Sequence, residues 1–267
     1  MIEQKAQIGI FGGSGFYSLF DNAEEIEMDT PYGKPSDKIT IGEIAGRKVA
    51  FLPRHGKGHV FAPHTIPYKA NLLAFKELGV EKIIAPTAAG SLQPHIKPGE
   101  FVVCDQFIDR TSGRPSTFCD GSKIVHVSCA DPYCPEMRKL AIDSCNNLNI
   151  PVHEKGTVVV IEGPRFSTKA ESQWYQKSGF EVINMTQYPE AALARELAMC
   201  YTNISLITDF DAGLVGQDGV PAVDAKAVVE IFNKNISKVK DLVFEMVKNM
   251  PSERICECKN SLANAVM

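Results

Sequence analysis

Runs of apolar residues alternate along the chain with stretches in which apolar positions recur at helical spacing. The runs predict strands in QIGIFG, DKITIGEI, RKVAFLP, VEKIIAPTAAG, GEFVVCDQFI, GTVVVIEGP, EVINM and TNISLITDFD. The helical spacing predicts helices over 65–79, 135–148, 167–179, 189–200 and 223–250. The turn AGR predicts a hairpin between the second and third strands. Helices between strands need crossover connections, so the pattern predicts one α/β domain, residues 1–267, with a mostly parallel or mixed sheet.

Composition and charge narrow the class of protein. The 267 residues are 44% hydrophobic and 22% charged, which is ordinary for a globular protein. The net charge is −4 and no block of Lys or Arg occurs, so neither a nucleic acid nor an anionic membrane surface is an expected partner. No apolar run approaches the ~20 residues that span a bilayer. The first residues lack the pattern of a signal peptide, so we expect a cytoplasmic protein.

Polar and small residues collect where the predicted strands end. These ends have the sequences GGSG, LPRHG, APTAAG, IEGPRFS, INMTQ and ITDFD. In open α/β sheets, ligands bind beyond the carboxyl ends of the strands. The concentration of Gly, Ser, Thr, Arg, His and Asp at these ends therefore predicts an active site there.

The glycine-rich turn after the first strand indicates a small anion. A dinucleotide fingerprint would need a third glycine where Ser18 stands, and a P-loop would need a lysine that this turn lacks. A turn of backbone N–H groups with the Ser14 hydroxyl remains, which suits a single phosphate or sulfate ion. The alternative is that GGSG is only a tight exit from the strand.

Two further strand ends supply groups that suit an anion. Arg54 in PRHGKGH offers a planar fork of donors that fits an oxyanion, and His55 follows it directly. Thr87 adds a hydroxyl among small residues in PTAAGS. His55 and His59 have the spacing of a zinc motif, but the Glu of H-E-x-x-H is absent, so no metal ligand is expected there.

The 8 cysteines show no C-x-x-C spacing, which argues against a structural zinc site. Most lie in apolar or helical stretches, where a free thiol behaves as a small core residue. Cys256 and Cys258 differ, because they follow the last helix in a polar segment that we expect to be exposed. A redox-active pair, or a disulfide to another cysteine, is the hypothesis for this tail, residues 251–267.

Eight longer stretches carry a specific resemblance. They are IGIFGGSGFY, TPYGKPSD, PRHGKGH, DQFIDRTSGRP, DPYCPEMR, IEGPRFSTKAES, INMTQYPEAALARE and TDFDAG. In this order they resemble the methylthioadenosine phosphorylase branch of the trimeric purine nucleoside phosphorylase family. The resemblance implies one α/β domain with a central mixed sheet flanked by helices, and a homotrimer or a dimer of trimers. It also implies phosphorolysis of a purine nucleoside, with inorganic phosphate as co-substrate and no cofactor.

The resemblance assigns roles to individual positions. It places the phosphate site at Ser14, Arg54, His55, Thr87, Ala88 and Thr186. It places Met185 under the ribose and makes Asp209 and Asp211 the acids that recognise the base and catalyse its departure. Val223 and Ser167 are further substrate-binding candidates, and His126 matches a position that reaches the 5′ pocket of a neighbouring subunit.

The same resemblance indicates which purine base the protein recognises. Relatives that take 6-oxopurines have Glu at the position of Ser167 and Asn at that of Asp209. A carboxylate accepts from the 6-amino group of adenine, so adenine nucleosides are favoured. The resemblance makes methylthioadenosine the expected substrate, with adenosine and 6-oxopurine nucleosides as alternatives. A hydrolytic nucleosidase and a non-catalytic nucleoside-binding protein stay open as competing interpretations, and phosphate-dependent turnover distinguishes them.

Overall fold

The chain folds around one mixed β-sheet flanked by helices, as the sequence pattern and the resemblance predict. A computed structural model describes residues 5–13, 21–119, 121, 124–216 and 225–265. The strands are β1 (Ile8–Gly12), β2 (Asp21–Ile26), β3 (Ile39–Ile44), β4 (Arg47–Pro53), β5 (Lys82–Ser91), β6 (Phe101–Val102), β7 (Gln106–Arg110), β8 (Val152–His153), β9 (Thr157–Ile161), β10 (Val182–Asn184) and β11 (Cys200–Phe210). The helices are α1 (Tyr68–Glu77), α2 (Pro135–Asn147), α3 (Lys169–Lys177), α4 (Gln187–Glu196) and α5 (Ala225–Lys248).

The long central strand β5 creates an opening in the sheet. On one side, β1 pairs in parallel with residues 82–84 of β5, and β10 pairs antiparallel with Gly90 and Ser91. Between these two partners, residues 85–89 of β5 face no strand of the described chain. On the other side, β11 runs parallel to β5 along its length. The ends of β1 and β10 therefore approach each other across a gap in which the middle of β5 is accessible.

Alternation along the strands gives the sheet two buried faces. In β4, Ala50 and Leu52 belong to one apolar cluster, whereas Val49 and Phe51 belong to another. Helices α1 and α4 contribute to the first cluster, and α2 and α5 contribute to the second. Because successive side chains of a strand point to opposite faces, strands buried on both faces, such as β1, β4 and β9, are apolar at most positions. This explains why their sequences form continuous apolar runs.

The structure corrects three details of the sequence-based prediction. GEFVVCDQFI forms two strands, β6 and β7, because Asp105 breaks the run by exchanging hydrogen bonds with Gly156. Helix α4 ends at Glu196 and not at residue 200, because Ala198 adopts a left-handed conformation with φ of 54°. Cys256 and Cys258 are buried, so the expectation of an exposed tail is wrong.

Among the described residues, no helix has both the length and the apolar character needed to cross a bilayer.

Candidate active site

The gap beside β5 opens into a cavity of about 530 Å³. Eight of the residues assigned from the sequence line it together: Arg54, His55, Thr87, Ala88, Met185, Thr186, Asp209 and Asp211. Ser14 and Val223 lie outside the described residues, although Gly12 and Gly13, which lead into the predicted anion turn, also line the cavity. Residues that are far apart in sequence therefore form one site, and Thr87 and Ala88 enter it from the middle of β5 and not from a strand end as the sequence predicted.

Arg54 is buried and held in one orientation. Its Nε donates to Glu190 Oε1 at 2.5 Å, its Nη2 donates to Glu190 Oε2 at 3.1 Å, and its Nη1 donates to the Pro86 carbonyl at 3.2 Å. Burial disfavours the charged form, but the Glu190 carboxylate outweighs it and raises the pKa of Arg54 above its ordinary value. A guanidinium has five N–H groups, so two remain for a ligand. Nothing local in the sequence identifies Glu190 as the partner, since 136 residues separate the two.

His55 also lines the cavity, next to Arg54 in the chain, and its imidazole ring is neutral. Burial lowers the pKa of His55 to about 4, and the neighbouring His59 and Arg54 add to this shift. Nδ1 lies 2.9 Å from the Phe61 carbonyl oxygen, which can only accept. Nδ1 therefore carries the hydrogen, and Nε2 is an acceptor. The ring of His55 also stacks on His59, with centroids 4.1 Å apart, and this contact fixes its orientation.

Thr87 lies in a buried network of amides. Its hydroxyl oxygen accepts from Asn203 Nδ2 at 3.0 Å and from Asn184 Nδ2 at 3.4 Å. Asn184 Oδ1 is buried beside the cavity and has no hydrogen-bond partner among the described residues. A buried amide oxygen without a partner is unfavourable, so this atom suits a hydroxyl donor of a ligand. Asn184 was missed from the sequence, although its place at the end of an apolar strand was a usable signal.

A β-bulge places Asp209 in the site. The register of β11 against β5 shifts between Ile207 and Asp209, so Asp209 lies opposite Gly90. Bulges of this kind redirect side chains and are frequent beside active sites. Burial raises the pKa of Asp209 to about 6, a hydrogen bond from the Thr208 hydroxyl opposes the shift, and the Asp211 carboxylate adds to it. Asp209 can therefore carry a proton close to neutral pH.

Asp211 and Ser167 form a second polar pair. Asp211 is buried, and Ser167 Oγ donates to Asp211 Oδ2 at 2.5 Å. The backbone N–H of Asp211 donates to the Ser91 carbonyl at 2.9 Å. Ser167 is not among the residues that line the cavity, so the structure makes it a positioning residue for Asp211.

Met185 is fixed from two sides. Its carbonyl accepts from Arg114 Nη1 at 2.9 Å, and the same guanidinium donates to the carbonyls of Tyr188 and Glu162. On its other side, Gly163 has φ of +67°, and a Cβ there would lie 2.6 Å from Met185 Sδ. Arg114 was not identified from the sequence as a site residue, because only the folded chain brings it behind the cavity.

We expect Gly163→Ala to impair the site and Gly179→Ala to leave it intact. Gly179 has φ of +84° but open space where a Cβ would stand. Both variants introduce backbone strain of about 1–2 kcal/mol, but only the first displaces Met185. A displaced binding group lowers kcat/KM for the nucleoside roughly 10- to 100-fold. Steady-state kinetics of the two variants measure this difference, and equal losses in both would contradict the role given to Met185.

One wall of the cavity comes from α5 and is apolar except for Asn233. Val228, Val229, Phe232 and Ile236 line it, together with Phe166 from the segment after β9. The sequence predicted α5 as an amphipathic helix, and the resemblance pointed to its start, at Val223, for substrate binding; the structure shows which described residues of the helix line the cavity. His126, in contrast, does not line the cavity of its own chain, and its N–H donates to the Ala265 carbonyl at 2.7 Å.

Comparison with known proteins gives similarity over the whole chain. A family model described as "Phosphorylase superfamily" matches residues 7–248. The S-methyl-5'-thioadenosine phosphorylase of Thermofilum pendens is 50% identical over 266 residues, which are 99% of this chain and 100% of that protein. A crystal structure of a methylthioadenosine phosphorylase from an antarctic soil metagenomic library has a TM-score of 0.93 at 41% identity and covers 99% of this chain and 93% of its own. The methylthioadenosine phosphorylase from Schistosoma mansoni in complex with adenine has a TM-score of 0.91 at 33% identity, with coverage of 97% and 98%.

Proposed function

The chain belongs to the phosphorylase superfamily, and on this premise we propose that it cleaves 5′-methylthioadenosine with phosphate to adenine and 5-methylthioribose 1-phosphate. The observation that carries the proposal is that two kinds of group lie along β5. One is the set of phosphate-binding candidates around Arg54 and Thr87, which we call the anion wall, and the other is the protonatable acid Asp209. Arg54 donates a hydrogen bond to the carbonyl of Pro86, which precedes Thr87 in β5. Asp209 lies opposite Gly90 of the same strand. Thr87 and Gly90 are three residues apart, about 10 Å along an extended strand. This span fits a ribose between a phosphate and a purine.

Phosphate binds at the anion wall in this proposal. The two N–H groups that Arg54 keeps free suit two phosphate oxygens, and the geometry is fixed in advance by Glu190. Thr186 and Ala88 line the same cavity as Arg54, and Ser14 follows the glycines that line it. Neutral His55, with Nε2 as acceptor, suits the hydroxyl of hydrogen phosphate. A preorganised wall of this kind holds the nucleophile in position against the sugar.

The reaction then requires one bond to form and one to break at the same carbon. A phosphate oxygen bonds to C1′ as the bond from C1′ to N9 breaks, and the bonding electrons leave with the purine. Positive charge develops on the ribose and is stabilised by the adjacent phosphate. Asp209, with its raised pKa, donates its proton to N7, so that adenine departs as a neutral molecule. Asn184 Oδ1 and Met185 contact the ribose.

The apolar wall of α5 supports a methylthio group at the 5′ position. The valine, isoleucine and phenylalanine side chains of this wall can bury a sulfur and a methyl group, and among the described α5 residues that line the cavity only Asn233 could bond to a 5′ hydroxyl. One extra apolar group in such a pocket changes selectivity by about 10–200-fold. We therefore expect methylthioadenosine to be used in preference to adenosine.

We also propose that the chain works in the cytoplasm, without a cofactor, as a homotrimer or a dimer of trimers. His126 lies outside the cavity of its own chain, which is compatible with a role in the 5′ pocket of a neighbouring subunit. Light scattering of the purified protein tests the assembly, and a monomer would leave His126 without this role.

A side-by-side assay tests the function. Methylthioadenosine, adenosine, methylthioinosine and inosine are each incubated with enzyme, with and without phosphate, and bases and sugars are separated by chromatography. We expect the highest kcat/KM for methylthioadenosine, and no turnover when phosphate is omitted. Free methylthioribose formed without phosphate would identify a nucleosidase instead, and a preference for inosine would identify a 6-oxopurine phosphorylase.

A further inference from the structure

Four cysteines from distant parts of the chain converge behind the sheet, outside the active-site cavity. Cys134 immediately precedes α2, Cys200 begins β11, and Cys256 and Cys258 come from the C-terminal tail. Their sulfur atoms all lie within 4.8 Å of one another, and each residue is at most 7% exposed. Cys134 Sγ is 3.6 Å from Cys256 Sγ, which is 3.4 Å from Cys200 Sγ. We call these residues the four-cysteine cluster.

We propose that the four-cysteine cluster is a structural metal site that binds one Zn²⁺ through four thiolates. Zinc holds four sulfur ligands in a tetrahedron with bonds of about 2.3 Å, which places the sulfurs about 3.8 Å apart. The separations in the cluster bracket this value. Tetrahedral sites with four sulfur ligands are typical of zinc and of iron–sulfur centres, and a single closed site of four cysteines suits zinc.

A positive side chain and a helix N-terminus lie beside the cluster, where they would stabilise the negative charge of four thiolates bound to a metal ion. Arg195 Nη1 lies 3.8 Å from Cys258 Sγ and brings a positive charge to the cluster. Cys134 stands at the N-terminal end of α2, where the helix dipole favours negative charge. Four thiolates at this separation repel one another strongly unless a cation lies between them. Binding of Zn²⁺ replaces four S–H bonds with four S–Zn bonds and releases four protons to the solvent.

The site would fix the tail to the body of the protein. On one side of the cysteine pair, Lys82 Nζ donates to the carbonyls of Pro251 and Ser252. On the other side, Ser261 Oγ donates to the Arg195 carbonyl, and the Ala265 carbonyl accepts from the His126 N–H. These contacts are polar, and apart from the two cysteines only Ala265 is a buried apolar residue in the described part of the tail, residues 251–265. A metal bound to two tail residues and two core residues would hold it in place.

The absence of C-x-x-C spacing does not bear on this cluster, for a topological reason. A C-x-x-C motif places two ligands on one local turn, so it detects only sites whose ligands are close in sequence. In this chain, the start of a helix, the start of a central strand and the tail meet in space. The sequence distances between them carry no sign of a common site.

Cobalt titration of the full-length protein tests the proposal directly. The protein is reduced, treated with a chelator and freed of the chelator, and Co²⁺ is then added under a reductant that does not bind metals. We expect the visible and near-ultraviolet bands of tetrahedral cobalt thiolate, saturating at one Co²⁺ per chain and lost when one equivalent of Zn²⁺ is added. Zinc should also raise Tm and protect the tail from limited proteolysis.

Matched variants locate the site. Cys200→Ser and Cys256→Ser should lose the cobalt bands, whereas Cys145→Ser, another buried cysteine outside the cluster, should keep them. The wild-type titration decides the matter even if a variant fails to fold. Absence of saturable cobalt bands in the reduced wild-type protein would overturn the proposal. So would disulfides among the four cysteines of the non-reduced protein combined with no cobalt uptake after reduction.

Discussion

Replacing Asp209 by Asn should reduce cleavage of adenine nucleosides and shift preference toward 6-oxopurines. The amide cannot give a proton to N7, and loss of a general acid costs about 10²- to 10⁴-fold in rate. It also replaces an acceptor for the 6-amino group with a group that can donate to a 6-oxo group. We therefore expect kcat/KM to fall for methylthioadenosine and the ratio of methylthioinosine to methylthioadenosine activity to rise. An unchanged ratio would contradict the role of Asp209 in base recognition.

The pH dependence of the same pair of enzymes tests the proton transfer. Only protonated Asp209 can donate, and its pKa is about 6 in the free enzyme. The ratio of wild-type to Asp209→Asn kcat/KM should therefore be constant below about pH 6 and fall by about tenfold per pH unit above it. Ionisation of phosphate and of His55 affects both enzymes and cancels in the ratio. A ratio that stays constant through neutral pH would exclude Asp209 as the acid.

Replacing Glu190 by Gln should strongly destabilise the fold. Glu190 is fully buried and accepts from both Arg54 and the Tyr201 hydroxyl, the latter at 2.8 Å. The amide keeps the shape of the side chain but leaves the Arg54 charge buried without its counter-ion. Breaking a buried pair in this way costs about 3–5 kcal/mol, which lowers Tm by roughly 6–20 °C for a chain of this size. Thermal unfolding measures the shift.

The exposed pair between Lys139 and Asp143 on α2 is the matched control. Lys139 Nζ and Asp143 Oδ2 are 2.7 Å apart, but both side chains are at least half exposed. Exposed pairs of this spacing contribute about 0.3–0.5 kcal/mol, so Asp143→Asn should change Tm little and leave kcat/KM unaltered. Similar effects of the two variants would show that the Arg54–Glu190 pair is no more important than a surface contact.

Local signals were sufficient for most of the elements. The hairpin β3–β4, the strands β1 and β9, and the helices α1 and α2 were predicted from periodicity and turn residues, because these signals act within a few residues of chain. The break between β6 and β7 and the early end of α4 were not predicted. Both depend on contacts or backbone conformations at single residues, Asp105 and Ala198, that compete with the apolar pattern.

The residues of the candidate site also fall into two groups, those that the sequence identified and those that only the structure identified. Arg54, Thr87 and Asp209 could be selected from the sequence because each is a polar residue at the end of an apolar run, although the structure extends β5 and β11 through Thr87 and Asp209. Glu190 could not be selected in this way, and the position of Asn184 at the end of β10 does not reveal that its amide oxygen lacks a partner. Their significance lies in a partner, or in the lack of one, and only the folded chain decides which polar atoms meet.

The sequence by itself determined the fold class, the family and the chemical types of the groups at the strand ends, because these follow from local pattern and from motifs. The tertiary structure decided the rest. It set the pKa of Asp209 through burial, fixed Arg54 through a carboxylate 136 residues away, and opened the cavity by leaving the middle of β5 without a partner on one side. It also brought four cysteines from three segments to one point. Each of these depends on which distant residues come into contact, and that information is distributed over the whole chain.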